Sequence, residues 1–116
     1  MVLRLRIGGA HVHVVLSEPS GATREILVVN WTTLDEDCVD DACVLQPGEH
    51  PAVHRASSMA YSRAHLWRAD QVVFALQNGV LEELNAVSPE VLRRMTSGAL
   101  TSPELRSEWK KLLPQP

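Results

Sequence analysis

His11-Val12-His13-Val14-Val15-Leu16 and Ile26-Leu27-Val28-Val29-Asn30-Trp31-Thr32-Thr33 are the two runs whose reading decides the fold. Both are rich in β-branched residues. The link between them carries Pro19, Ser20 and Gly21, the composition of a turn joining two antiparallel strands. The spacing predicts strands over 10–16 and 23–33, the second a central one. Side chains two apart on a strand share a face, so His11 and His13 project to one side. Imidazole titrates near neutral pH, so one ring could take a proton from a hydroxyl and the other return one. The plainer alternative puts both rings on a solvent face, opposite Val12 and Val14.

Outward from this pair, Met1-Val2-Leu3-Arg4-Leu5-Arg6 alternates apolar and basic residues and reads as a strand, with a turn at Gly8-Gly9. A short strand is expected over 42–45, stopped by Pro47-Gly48. One more is expected over 57–67, with Met59, Tyr61, Arg63, His65 and Trp67 on one side. From residue 69 the spacing turns helical. Val72, Val73 and Leu76 share a face of a first helix that Asn78-Gly79 stops. Ser88-Pro89-Glu90 and Ser102-Pro103-Glu104 each set a capping hydroxyl before a proline at the first helical position. The first of these helices buries Val91, Leu92 and Met95 and ends at Gly98; the second buries Leu105, Trp109 and Leu112. The reading is one domain over 1–116, mainly β with C-terminal helices (α+β), with a compact barrel in 1–68 and helical segments in 69–113 packing on it.

At 116 residues the chain can build a core without staples. No apolar run approaches the ~20 residues of a membrane helix, and the first residues lack the apolar centre of a signal peptide, so a cytoplasmic protein without membrane partners is expected. The net charge of −3 argues against a broadly basic nucleic-acid binder. The total misleads, however. Asp35, Glu36, Asp37, Asp40 and Asp41 crowd one loop, and without them the remainder is mildly basic.

Cys38 and Cys43 are expected as free thiols rather than a disulfide. Cys38, Cys43, His50 and His54 occur in the order of a zinc site, but their spacing lacks a Cys-x2-Cys knuckle. Cys43 is expected in the core and Cys38 in the loop, with no metal and no cofactor. The acidic residues of 35–41 do not follow a calcium-binding loop and read as solvated. The segment around His50, Pro51 and His54 is stiffened by proline and could present both imidazoles to a phosphate, with Ser57, Ser58 and Tyr61 nearby. No phosphate-cradling glycine loop or nucleophile elbow occurs.

Gly8-Gly9, then residues 11–19, then Leu27-Val28-Val29-Asn30-Trp31-Thr32-Thr33 resemble the opening of MazF/PemK-type endoribonuclease toxins over roughly residues 5–35. The stretch from Cys43 through Pro47-Gly48, His50-Pro51, His54 and Tyr61 resembles a small set of PemK-like proteins. The resemblance implies an SH3-like β-barrel, a homodimer, an antitoxin partner, and metal-independent RNA cleavage through attack of the ribose 2′-hydroxyl. On that likeness Thr33 matches the family's threonine and would donate to the phosphate. His11 stands where the family has an arginine, and Val12 where it has a proline. Arginine grips phosphate bidentately and is always charged, which neutral histidine is not. Either histidines carry the proton transfers, or the barrel is a non-catalytic one that binds a protein or peptide partner. On the first alternative His11, His13 and Thr33 are the catalytic candidates, and Arg24, His50, His54, Tyr61 and Arg63 the phosphate- and RNA-binding ones.

Overall fold

The β-branched run is the spine of the molecule. In a computed structural model, which describes residues 1–6, 11–34 and 40–114, the elements are β1 (Val2–Leu5), β2 (Val12–Val15), β3 (Glu25–Thr33), β4 (Val44–Leu45), β5 (Ser57–Met59), β6 (His65–Arg68), α1 (Ala69–Gln77), β7 (Leu81–Leu84), α2 (Pro89–Thr101) and α3 (Ser107–Lys110). All pairings are antiparallel. The strands form one seven-stranded sheet in the order β4-β5-β3-β2-β1-β7, with β6 also beside β3. On one edge β3 pairs β2; on the other it pairs β6 with its first half and β5 with its last rungs.

Why 26–29 lacks the usual apolar–polar alternation is clear from what covers the sheet. Leu27 and Val29 join Val12, Val14, Leu45, Met59, Tyr61 and the α2 residues Val91, Met95 and Ala99 on one face. Ile26 and Val28 join Leu3, Leu81 and the α1 residue Val72 on the other. A strand covered on both faces is apolar at consecutive positions. The fold is α+β and mostly β, as expected. The sheet is open: among the described residues no pairing joins β4 to β7, its two ends, so closure into a barrel is not part of this structure.

Several boundaries differ from the sequence reading. The expected strand over 57–67 is two strands. Met59 pairs Trp31 and His65 pairs Val28, so residues 60–64 lie opposite only 29 and 30. A 3₁₀ turn at Tyr61–Arg63 takes up the excess, which breaks the expected common face. It also turns Tyr61 inward, where its hydroxyl donates to the Met95 carbonyl at 2.7 Å.

β7 falls within the span expected to be helical. Its pairing with β1, which sets Glu82 opposite Arg4, overrides the local preference of a Glu-rich segment. Ser88 caps α2 as expected, accepting from the Val91 N–H at 3.2 Å. Gly98 does not end the helix; it is buried within it. A Cβ there would lie 2.9 Å from the Ala42 carbonyl oxygen and 3.0 Å from the Cys43 Cβ, so glycine lets α2 lie directly on the β4 segment. Ser102 accepts from Glu104 N–H at 3.1 Å, closing a turn rather than starting a helix. Only the short α3 follows. The Gly8-Gly9 turn, Cys38 and the acidic residues 35–37 lie outside the described residues.

Candidate functional site

Strand register lays a row of residues across one end of the sheet. Trp31 pairs Val12, Val12 pairs Arg4, and Arg4 pairs Glu82. Above the Trp31–Val12 end of this row opens a cleft of about 360 Å³. Its polar lining is His11, Thr32, Thr33, His54, Arg55 and Ser57, with Val12, Trp31 and Ala52 as the apolar part.

Each side chain arrives there for a local reason. His11 immediately precedes β2, and Thr33 is the last residue of β3. Thr33 is paired with Ser57, the first residue of β5, and Leu34 N–H donates to the Ala56 carbonyl at 2.9 Å, so the ladder extends past the strand end. Ser57 Oγ donates to the Arg55 carbonyl at 2.8 Å, which fixes the chain just before β5.

The loop bearing His54 and Arg55 is held by His50. That ring is buried and meets the Trp31 indole edge-on, with centroids 5.3 Å apart. Its Nδ1 accepts from Ala52 N–H at 3.0 Å, and its Nε2 lies 2.5 Å from the Asn85 carbonyl oxygen. A carbonyl oxygen only accepts, so Nε2 carries the proton and the ring is the neutral Nε2–H tautomer. His50 thus staples its loop to the segment after β7, with both nitrogens engaged inside the protein.

The cleft therefore brings together His11, Thr33 and His54 from the sequence reading, and adds Arg55. The other candidates lie elsewhere. Tyr61 is buried, and burial pushes its phenol well above the usual range. Arg24 sits in the β2–β3 turn with a positive φ of 52°, at the opposite end of nine-residue β3 from Thr33, which is roughly 25–30 Å away along the strand. Arg63 is exposed on the 3₁₀ turn and does not line the cleft.

His13 packs its ring on Trp67, centroids 5.0 Å apart, and its Nδ1 is buried without a hydrogen-bond partner. Burial, with lesser contributions from His11 and His65, pulls its pKa below the ordinary imidazole value. Arg55 escaped the sequence reading because an arginine in a polar loop carries no periodic signal. Its place directly after His54 was the one available hint.

Among the described residues no three His, Cys, Asp or Glu side chains are grouped to hold a metal ion. Cys43 is in the core, where burial pushes its thiol pKa up. The Asp40 carboxylate accepts from Tyr61 N–H at 3.2 Å and from Ala42 N–H at 3.4 Å, a structural use of one of the five clustered acids. No helix among the described residues is long and apolar enough to cross a membrane. Compared with family models, curated proteins and solved structures, the chain finds no match.

Proposed function

We propose that the cleft binds single-stranded RNA and cleaves it without a metal ion. The observation that carries this reading is the composition of the lining among the described residues: two imidazoles, one guanidinium and three hydroxyls, with no carboxylate among them. Such a set accepts a phosphodiester anion and offers two imidazoles as proton acceptor and donor.

One imidazole of the His11–His54 pair, neutral, takes the proton of the ribose 2′-hydroxyl. The 2′-oxygen attacks the adjacent phosphorus as the P–O5′ bond breaks. The other imidazole, protonated, gives its proton to the departing O5′. The products are a 2′,3′-cyclic phosphate and a 5′-hydroxyl. Arg55 and Thr33 hold the non-bridging oxygens as charge grows on them. His54 and Arg55 take the roles that the sequence reading gave to His13 and Arg24, which lie away from the cleft. On this reading the protein is the toxin of a toxin–antitoxin pair. It works as a homodimer, and its antitoxin blocks the cleft with negative charge.

The test is a DNA oligonucleotide carrying a single ribonucleotide, incubated in EDTA. Cleavage only 3′ of the ribonucleotide supports the reading, because only there is a 2′-hydroxyl present. Cleavage elsewhere, or none in this strand and in all-RNA strands, overturns it.

A second reading, a non-catalytic domain that binds a protein, draws on α1. Its Val73 and Phe74 side chains are 51% and 65% exposed, more than a fully covered helix would leave. On that reading Phe74→Glu abolishes partner or self-association in solution, and a variant that associates like the wild type removes it.

A further inference from the structure

We infer that the strand bound in the cleft continues toward β1, where Arg4 takes its next phosphate in exchange for Glu82. The inference rests on the cleft being an RNA site.

A second hollow of about 580 Å³ adjoins the first, with Val12, Ala52 and His54 common to both. His54 thus stands between them rather than closing the end of one. Beyond it the register row runs Val12, Arg4, Glu82. From Trp31 to Glu82 are three inter-strand steps, about 14 Å. That is a groove for a short strand rather than a pocket for one phosphate.

In the floor, His50 has both ring nitrogens engaged, by Ala52 and Asn85. The charges lining this hollow are the Arg4 guanidinium and the carboxylates of Glu82 and Glu83. Arg4 Nη2 donates to Glu82 Oε1 at 2.7 Å, and Arg6 Nε stands 3.7 Å from Glu82 Oε2. The Arg4 side chain remains 45% exposed.

An ion pair this exposed is weakly held, so its partner is exchangeable. A phosphate offers guanidinium the same bidentate geometry as a carboxylate, and arginine bonds to it are among the stronger ones. Glu82 then has two effects. It holds Arg4 over the groove when the groove is empty, and it competes with the phosphate for Arg4 when RNA arrives. Arg4 is a binding residue in this account and has no part in the bond-breaking step.

The test compares a 2′-O-methyl dinucleotide, with one phosphate, and a trinucleotide, with two, on wild type, Arg4→Gln, Arg4→Lys and Glu82→Gln. The wild type is expected to bind the trinucleotide about tenfold tighter, the worth of one charged hydrogen-bonded contact. Arg4→Gln is expected to erase that gain while leaving dinucleotide binding unchanged. It should also lower the slope of log affinity against log salt by about 0.7, one single-strand phosphate. Glu82→Gln tightens trinucleotide binding, and Arg4→Lys keeps part of the gain, which separates lost charge from a damaged fold. Trinucleotide binding that ignores Arg4→Gln overturns the inference while leaving the cleft reading intact. If neither oligonucleotide binds the wild type, the proposed function falls with it. Arg4-dependent capture of an Asp/Glu-rich peptide without RNA binding also overturns it.

Discussion

Thr33 and Ser57 face each other at the last rung of the β3–β5 ladder, and both border the cleft that His11 and His54 also line. The two hydroxyl-bearing residues are therefore fixed by backbone pairing, whereas His54 and Arg55 come from a loop that depends on other supports. Substitutions at these positions should separate chemistry from folding.

Thr33 is exposed and ends its strand, so Thr33→Val keeps the branched shape and the ladder while removing one donor. Thermal stability should change by less than about 0.5 kcal/mol. RNA cleavage should fall by about 10²-fold, the typical loss for one preorganised donor. Thermal melting and initial cleavage rates on the same preparation check both halves.

His50 and His54 are four residues apart and should behave oppositely. His50→Leu leaves the Asn85 carbonyl and the Ala52 N–H without their ring partner and should destabilise by about 1–3 kcal/mol in urea unfolding. His54→Leu removes an exposed ring and should leave the urea midpoint nearly unchanged while abolishing cleavage. Equal midpoints for the two variants would contradict the staple role of His50.

His13 gives the stability a pH dependence. Its folded-state pKa lies below the unfolded value near 6.5, so the unfolded chain takes up a proton first as pH falls. The folded state is unaffected above that value and loses stability below it, down to the folded pKa. His13→Phe keeps a ring against Trp67 and removes the unpartnered buried nitrogen. It should raise stability at pH 7 by about 1 kcal/mol and flatten this part of the acid limb. Urea titrations at pH 5 and 7 measure both effects.

Gly98→Ala should be destabilising by about 1–3 kcal/mol, because the added carbon meets the Ala42 carbonyl and the Cys43 side chain. Tyr61→Phe should lose only about 1 kcal/mol, one hydrogen bond to the Met95 carbonyl. Circular-dichroism melts order the two. A neutral or stabilising Gly98→Ala would mean that α2 does not lie this close to the β4 segment.

The strong local signals were legible in the sequence. Ile26 through Val29 gave the central strand by composition, and Ser88-Pro89 gave the start of α2 by capping chemistry. What escaped depends on partners distant in the chain. Leu81–Leu84 is a strand because β1 offers it an edge, and Tyr61–Arg63 is a 3₁₀ turn because the pairings of Met59 and His65 leave five residues opposite two of β3. Gly98 reads as a helix stop until the β4 segment is seen against it.

The candidate site was legible in the same proportion. The position of Thr33 at a strand end followed from the hairpin, whereas alternation set His11 beside His13, and His13 packs on Trp67 away from the cleft that His11 lines. Whether His50 or His54 faced the cleft could not follow from spacing, since it is decided by the bonds to Asn85 and Ala52. Arg24 was misplaced for a simple reason: a hairpin puts its turn at the far end of the strands whose other ends carry His11 and Thr33.

The most direct measurement of the central claim is cleavage of a mixed-sequence RNA in EDTA by the wild type, His11→Ala and His54→Ala, with fragment ends mapped. The account predicts discrete cuts by the wild type ending in 2′,3′-cyclic phosphate, and a loss of about 10²- to 10⁴-fold in each variant at unchanged thermal stability. RNA left intact at micromolar wild-type protein, or cuts that persist undiminished in both variants, would contradict it.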